Sequence, residues 1–334
     1  MIKLLIAGHD LKFTKEIIDY FNNHPRFELK IDKWSGHEKH DIKKSTQLLQ
    51  WADIIFCEWG LGNSVWYSQH KLQKQLLIIR MLGQERMSQF TQKILWERVD
   101  KVIYVSSHLR KIIESKNKIP SNLGKVIPNV VDTSKFTNKK IDSSIYNIGI
   151  IGFVPKLKRL DIALNIFEEL WKYDARYKLF IKGKQPMEYN WLWRNKQERK
   201  YYEDIFKRIK ISPWRNSVFF DGWDNDVPSW LNKIGYILST SDFESFHLSV
   251  SEGMASGAVP VIRNWEGASN IYPTQFIYNN IHEAVALIKN QSSHKNLEQI
   301  LMHHVKNNFD KNMIVTMIED IFTKLFLERG LTHE

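Results

Sequence analysis

The sequence predicts an α/β protein built from two parallel sheets, each covered by helices. Three observations predict it. The 334 residues are enough for two hydrophobic cores. Short apolar runs alternate with stretches of helical periodicity through the first half, as in parallel sheets with helices on their faces. A second alternating series then starts at Asn147, after a polar break.

The elements follow in order. Ile2–Ala7 is an apolar strand that runs into Gly8-His9-Asp10. Lys15–Asn22 has helical spacing, Phe27–Ile31 is a strand and Ile42–Trp51 a helix. Asp53–Cys57, Gln75–Arg80 and Lys101–Ser106 are further strands, which puts Gly8, Glu58 and Ser106 at carboxyl ends facing a cleft. Thr137–Ser144, TNKKIDSS, has the polarity of an interdomain linker. After Asn147–Gly152 come a helix near Leu160–Tyr173 and strands at Tyr177–Lys182, Tyr236–Thr240 and Val259–Arg263. In Met313–Leu327, Ile314, Met317, Ile318, Ile321 and Phe322 form the stripe of an amphipathic helix.

Composition narrows the function. With 43% hydrophobic and 25% charged residues the chain has an ordinary globular make-up. No apolar run reaches the roughly 18–20 residues that span a bilayer, and MIKLLIAGHD reads as a first buried strand rather than a signal peptide. One cysteine, Cys57, allows neither an internal disulfide nor a cysteine metal cluster. A cytoplasmic location fits. The net charge of +11 calls for an anionic partner. The basic residues are spread along the chain and no nucleic-acid-binding signature is present. Phosphate-bearing ligands and an anionic membrane surface are therefore preferred to nucleic acid.

The most informative stretch is Ser241–Ile262, SDFESFHLSVSEGMASGAVPVI. Glu244 follows a strand, and Glu252, eight positions on, lies within a helix. A strand, a turn with one acid and a helix with a second can grip a ligand at the carboxyl edge of a parallel sheet. The helix amino-terminus offers backbone N–H groups and a positive dipole end to phosphate. A sugar nucleotide combines those hydroxyls and phosphates.

Glu244-Ser245-Phe246-His247-Leu248 followed by Glu252-Gly253-Met254-Ala255 resembles the donor-site signature of the retaining glycosyltransferases of family 4, the group 1 glycosyltransferases. Lys125–Phe136, KVIPNVVDTSKF, resembles the segment that closes their amino-terminal domain. The similarity is dense over roughly 125–265 and thin before residue 100. It implies the GT-B fold: two Rossmann-like α/β domains facing across a cleft, with a C-terminal helix crossing back to the first. The implied boundaries are 1–140 for an acceptor-binding domain, 145–311 for a nucleotide-sugar donor domain and 312–334 for the returning helix.

The resemblance also implies roles. Gly152–Asp161 is similar to the family's phosphate segment, with Lys158 at the lysine that binds the donor diphosphate. A fixed cation there stabilises the leaving group more in the transition state than in the ground state. Phe153 replaces the family arginine, and Lys156 or Arg159 is the candidate substitute. Glu252 would hold the ribose hydroxyls and Glu244 those of the donor sugar. The amides of Phe246, His247 and Leu248 would meet phosphates or sugar. Ser245 and His247 stand where glycines are usual, and His247 either donates to the ligand or fills space. Gly183 and Gly222-Trp223 lie in the segments implied to hold the base, Trp223 being either a stacking surface or a buried tryptophan. The implied reaction is same-face transfer from a UDP- or GDP-linked sugar to a glycan or lipid-linked acceptor in envelope polysaccharide assembly. It needs no metal or further cofactor, and Asp224-Asn225-Asp226 reads as a turn and cap. The alternative is a non-catalytic module that binds a sugar nucleotide or supports a partner transferase.

The acceptor side is less legible. His9 is the candidate for orienting an acceptor hydroxyl, or else a surface histidine. Ser35-Gly36-His37, Glu58-Trp59-Gly60 and Arg80 fall near strand ends, while the loop Met81–Glu85 has no histidine. Lys184–Lys210 carries eight basic residues against four acidic ones, with Tyr189, Trp191 and Trp193. Tyr202, Ile205, Phe206 and Ile209 form its core-facing side. The remainder suits either peripheral contact with an anionic inner membrane face or plain solvation.

Overall fold

The structure is a computed structural model that describes residues 1–290 and 294–330. Residues 291–293 of the expected donor domain and 331–334 of the expected last helix lie outside it. The chain divides into one unit of residues 1–130 and 309–334 and a second of residues 131–308.

The first unit holds a parallel six-stranded sheet in the order β2-β1-β3-β4-β5-β6. The strands are β1 (Ile2–Gly8), β2 (Phe27–Lys33), β3 (Ile54–Glu58), β4 (Leu76–Met81), β5 (Lys101–Tyr104) and β6 (Gly124–Val126). Between them run α1 (Lys15–Asn22), α2 (Ile42–Trp51), α3 (Gly62–His70) and α4 (Ser107–Lys116). β3 and β4 are buried along their whole length, which explains the apolar runs Ile54–Cys57 and Leu76–Ile79. Lys101–Ser106, expected as one strand, ends at Tyr104, because the Ser106 hydroxyl accepts the Leu109 N–H as the cap of α4.

The second unit repeats the plan, in the order β12-β11-β10-β7-β8-β9. Its strands are β7 (Asn147–Ile151), β8 (Lys178–Lys182), β9 (Val218–Gly222), β10 (Tyr236–Ser239), β11 (Val259–Arg263) and β12 (Ile277–Tyr278). Its helices are α5 (Leu160–Tyr173), α6 (Asn190–Trp193), α7 (Lys196–Ile211), α8 (Val227–Leu231), α9 (Leu248–Ala255), α10 (Ile281–Lys289) and α11 (His294–Phe309). The direction of strand succession reverses between β7 and β10. Ligands of such sheets bind in the crevice beyond the carboxyl ends at that point.

The polar stretch Thr137–Ser144 is pinned to the second unit. Lys140 Nζ donates to the carbonyls of Leu231 and Ile234, each at 2.8 Å, and to Ser256 Oγ at 3.2 Å. Burial drags Lys140 down to about 7.

α12 (Lys311–Glu328) packs into the core of the first unit. Its buried residues are Ile314, Val315, Ile318, Phe322 and Phe326, with Phe322 5.3 Å from Phe21 and 5.5 Å from Phe56 between ring centroids. Met317 and Ile321, expected on the same stripe, are only partly buried. Glu319 on this helix accepts from Tyr20 and pairs with Arg26.

Candidate active site

The loops after β7 and β10 are joined at the strand-order reversal. Asp242 N–H donates to the Leu157 carbonyl at 2.9 Å, and Thr240 Oγ1 to the Lys158 carbonyl at 2.8 Å. On this frame Lys158 Nζ lies 2.6 Å from Glu244 Oε1, and Ser241 Oγ donates to the same oxygen at 2.5 Å. Burial pushes the Glu244 carboxyl up, but His247, Lys158 and the Ser241 hydroxyl together hold it below its usual value. The contact brings together two residues that the resemblance singles out separately, Lys158 and Glu244.

The turn after Glu244 is rigid. Phe246 is buried, so only its backbone is available to a ligand. The Tyr272 hydroxyl lies 2.7 Å from the Phe246 carbonyl and 3.0 Å from that of His247. His247 has φ 61° and ψ 66° and caps α9 from the left-handed region, the conformation a glycine there would adopt freely. Its side chain is buried, with Nδ1 2.6 Å from Ser239 Oγ and Nε2 3.7 Å from Glu244 Oε1. Burial pushes this imidazole down to about 4 against the pull of Glu244, so it is neutral at neutral pH. The first helical bond, Val250 N–H to the His247 carbonyl, leaves the Leu248 and Ser249 amides at the open helix start. Ser245 and Leu248 are half-buried beside it.

Glu252 lies one turn further along α9. Its carboxylate has no hydrogen-bond partner among the described residues. Burial raises it to about 7, opposed by Lys135. A carboxyl group in that state is ready to accept from a ligand diol.

The other expected cations point elsewhere. Lys156 Nζ sits 5.5 Å over the Tyr201 ring. Arg159 is bound by Asp161 at 2.8 Å and Asp242 at 3.0 Å. Both line an open groove of about 560 Å³ with Tyr201 and Arg208. Neither is brought to the Lys158–Glu244 pair: Lys156 lies over the Tyr201 ring, and Arg159 is held by Asp161 and by Asp242 of the loop after β10. Phe153 is turned inward, 5.7 Å from Phe220 and 6.4 Å from Tyr202 between ring centroids. At the position where the resemblance implies an arginine, it is a core residue.

At the ends of β8 and β9, Gly183 N–H donates to the Gly222 carbonyl at 2.8 Å. Both glycines have positive φ, 144° and 67°. Trp223 is 61% exposed, with Lys184 Nζ 5.2 Å from its ring centroid, so it is not a buried residue of its unit. Asp224 pairs with Lys182 at 2.8 Å, and Asp226 caps α8 by accepting the Ser229 N–H. That is the turn-and-cap arrangement expected of the pair. No cluster of metal-ligating side chains occurs among the described residues.

In the first unit, His9 is half-buried, 4.5 Å from His37 between ring centroids. Burial and His37 hold it below its usual value. Arg80 and Glu58, expected near a binding edge, form a fully buried pair at 2.8 Å, with Asn129 accepting from Arg80 at 2.6 Å. They hold strand ends together and are out of reach of an acceptor. Sequence reasoning missed Ser239, Ser241, Trp265 and Tyr272. Only Ser241 carried a signal, by its place three residues before Glu244.

Residues 145–297 match the family model described as "Glycosyl transferases group 1". A curated relative, the poly(glycerol-phosphate) alpha-glucosyltransferase of Bacillus subtilis (strain 168), is 25% identical over 169 residues. That alignment spans 48% of this chain and only 23% of the relative. Among solved structures, Anabaena Alr3699/HepE in complex with UDP and glucose superposes with a TM-score of 0.73 at 15% identity, covering 97% of this chain and 100% of that one. A glycosyltransferase from Rickettsia africae ESF-5 gives 0.69 at 14% identity, covering 97% and 98%. A mutant of S. aureus TarM in complex with Fondaparinux, alpha-GlcNAc-glycerol and UDP gives 0.64 at 17%, covering 80% and 55%. With the two parallel sheets, these likenesses establish the fold as GT-B.

Proposed function

We propose that the chain is a retaining glycosyltransferase that moves a sugar from a UDP-linked donor to a phosphate-bearing glycan or lipid-linked acceptor of the cell envelope. The observation that carries this is the Lys158–Glu244 pair at the strand-order reversal of the second unit. Lys158 supplies the charge that stabilises the departing diphosphate, and Glu244 accepts from hydroxyls of the sugar. Glu252 accepts from the ribose, the amides at the start of α9 meet phosphate, and the Gly183 and Gly222-Trp223 edge receives the base. The acceptor attacks from the face the diphosphate leaves, and the leaving phosphate takes its proton. Asp224 and Asp226 are engaged as ion pair and cap, which supports a metal-independent reaction. His9 orients the acceptor hydroxyl.

UDP as the nucleotide is supported by the UDP complexes among the structural neighbours, and a polyanionic acceptor by the poly(glycerol-phosphate) relative together with the +11 charge. No helix among the described residues is long and apolar enough to cross a membrane. Exposed Trp191 and Met187, within the basic stretch Lys184–Lys210, support peripheral contact with an anionic membrane on the cytoplasmic side. Retention on anionic but not neutral vesicles in flotation tests that point.

The reaction is tested by incubating the chain with UDP- and GDP-sugars and a poly(glycerol phosphate) acceptor, following nucleotide release and the anomeric configuration of the product by NMR. Release of UDP with retained configuration is expected. An inverted product refutes the retaining mechanism. Sugar-nucleotide binding with no turnover on any acceptor favours the non-catalytic module.

A further inference from the structure

Trp265, Ser239 and His247 form a buried line of side chains that ends beside Glu244. Trp265 Nε1 donates to Ser239 Oγ at 3.1 Å, and Ser239 Oγ lies 2.6 Å from His247 Nδ1. An indole nitrogen is a donor only. Ser239 is fully buried, and its hydroxyl meets no third partner among the described residues. The hydroxyl proton therefore has one acceptor, His247 Nδ1; turned elsewhere it would be an unmet buried donor at a cost of about 1–3 kcal/mol. A neutral imidazole that accepts at Nδ1 carries its proton on Nε2.

That Nε2–H faces Glu244 at 3.7 Å, beyond hydrogen-bond distance. Glu244 Oε1 is already taken by Lys158 and Ser241, while Oε2 has no protein partner among the described residues. A fixed donor and an open carboxylate oxygen thus stand side by side. A hydroxyl fits both, since it donates to Oε2 and accepts from Nε2–H. A phosphate oxygen cannot donate and would set a second negative charge against the carboxylate. The left-handed backbone at His247 supports the same conclusion. A non-glycine residue there costs about 1–2 kcal/mol, and glycine would avoid the cost but has no donor.

The geometry points to His247 as a specificity-determining donor that, together with Glu244, reads one hydroxyl of the donor sugar, with Ser239 and Trp265 as positioning residues that fix its tautomer. The inference rests on the sugar-nucleotide reading above and names how that site selects the sugar.

Two measurements on the full chain test it. The first is a long-range ¹H–¹⁵N spectrum of the imidazoles, with His247 assigned by the signal lost in His247→Gln. A neutral, Nε2-protonated ring is expected in the wild type between pH 6 and 8, and a mixture of tautomers in Ser239→Ala. An Nδ1-protonated wild-type ring overturns the relay, whether or not Ser239→Ala folds. The second is calorimetric titration with UDP and with the UDP-sugar bound best. His247→Ala should weaken the UDP-sugar by about tenfold, the loss of one hydrogen bond, and change UDP by less than about twofold. His247→Gln, which keeps a donor, should recover most of the loss. An equal loss for both ligands would put the contact on phosphate and overturn the proposal, as would no loss. A wild-type chain that binds neither ligand refutes the sugar-nucleotide reading itself and takes the hydroxyl assignment with it, while the spectrum still decides the tautomer.

Discussion

Lys158 Nζ and Glu244 Oε1 meet at 2.6 Å across 86 residues of sequence. One residue comes from the loop after β7 and the other from the loop after β10, neighbours in the sheet. Glu244 fixes the position of the cation, and on the function proposed above such a fixed cation needs little reorganisation as charge develops on a leaving diphosphate.

Lys158→Ala should therefore lower kcat by about 10²–10³, the usual loss on removing one transition-state stabiliser. Steady-state UDP release, compared with UDP affinity, checks this. A variant with wild-type kcat would remove Lys158 from the mechanism.

Glu252 sets a pH dependence. Its folded value is raised to about 7 from 4.5. Between those values the folded chain holds a proton that the unfolded chain has released, so this group lowers stability as pH rises through the window. Nucleotide binding changes the opposite way, because only the ionised carboxylate accepts from both hydroxyls of a diol. Uridine nucleotide affinity should rise from pH 6 to pH 8 in the wild type and stay flat in Glu252→Gln. Parallel titrations of the two proteins settle it.

Phe153→Arg puts in place the residue type that the resemblance implies there, but not a contact for it. The side chain at this position is packed against Phe220 and Tyr202. The charge would be buried without a partner, so the variant should lose the second unit's cooperative unfolding rather than gain phosphate affinity. Phe153→Ala should cost about 3–5 kcal/mol in urea unfolding. A folded Phe153→Arg protein with tighter UDP binding would contradict the inward orientation.

Lys140→Met leaves two buried carbonyls and the Ser256 hydroxyl without their donor. A loss of about 1–3 kcal/mol is expected. The wild type has a further signature. Because Lys140 is dragged down to about 7 from 10.5, the unfolded chain holds the proton longer, and stability rises with pH between those values. Melting curves from pH 7 to 10 should show this rise in the wild type and not in Lys140→Met.

The fold was legible because parallel strands buried on both faces write themselves as apolar runs, as in Leu76–Ile79. The candidate site was legible in the segments that carry the resemblance, which singled out Lys158 and Glu244 one by one. It was not legible where distant residues decide a side chain's direction. Phe153 points inward because α7 supplies Tyr202, and Arg159 is held by Asp242 from another loop. Ser239 and Trp265 matter only through one imidazole nitrogen, which no spacing rule reports. Glu58 and Arg80 sit at strand ends as expected, but each buries the other's charge.

The insertion of α12 into the core around Phe21 and Phe56 makes the order of synthesis matter. Residues 1–130 leave the ribosome before the whole second unit, and the helix that completes their core follows only after it. The second unit, continuous in sequence, can finish folding while the first still shows an open apolar face. That waiting surface is where misassembly would begin, and where a chaperone would hold the nascent chain.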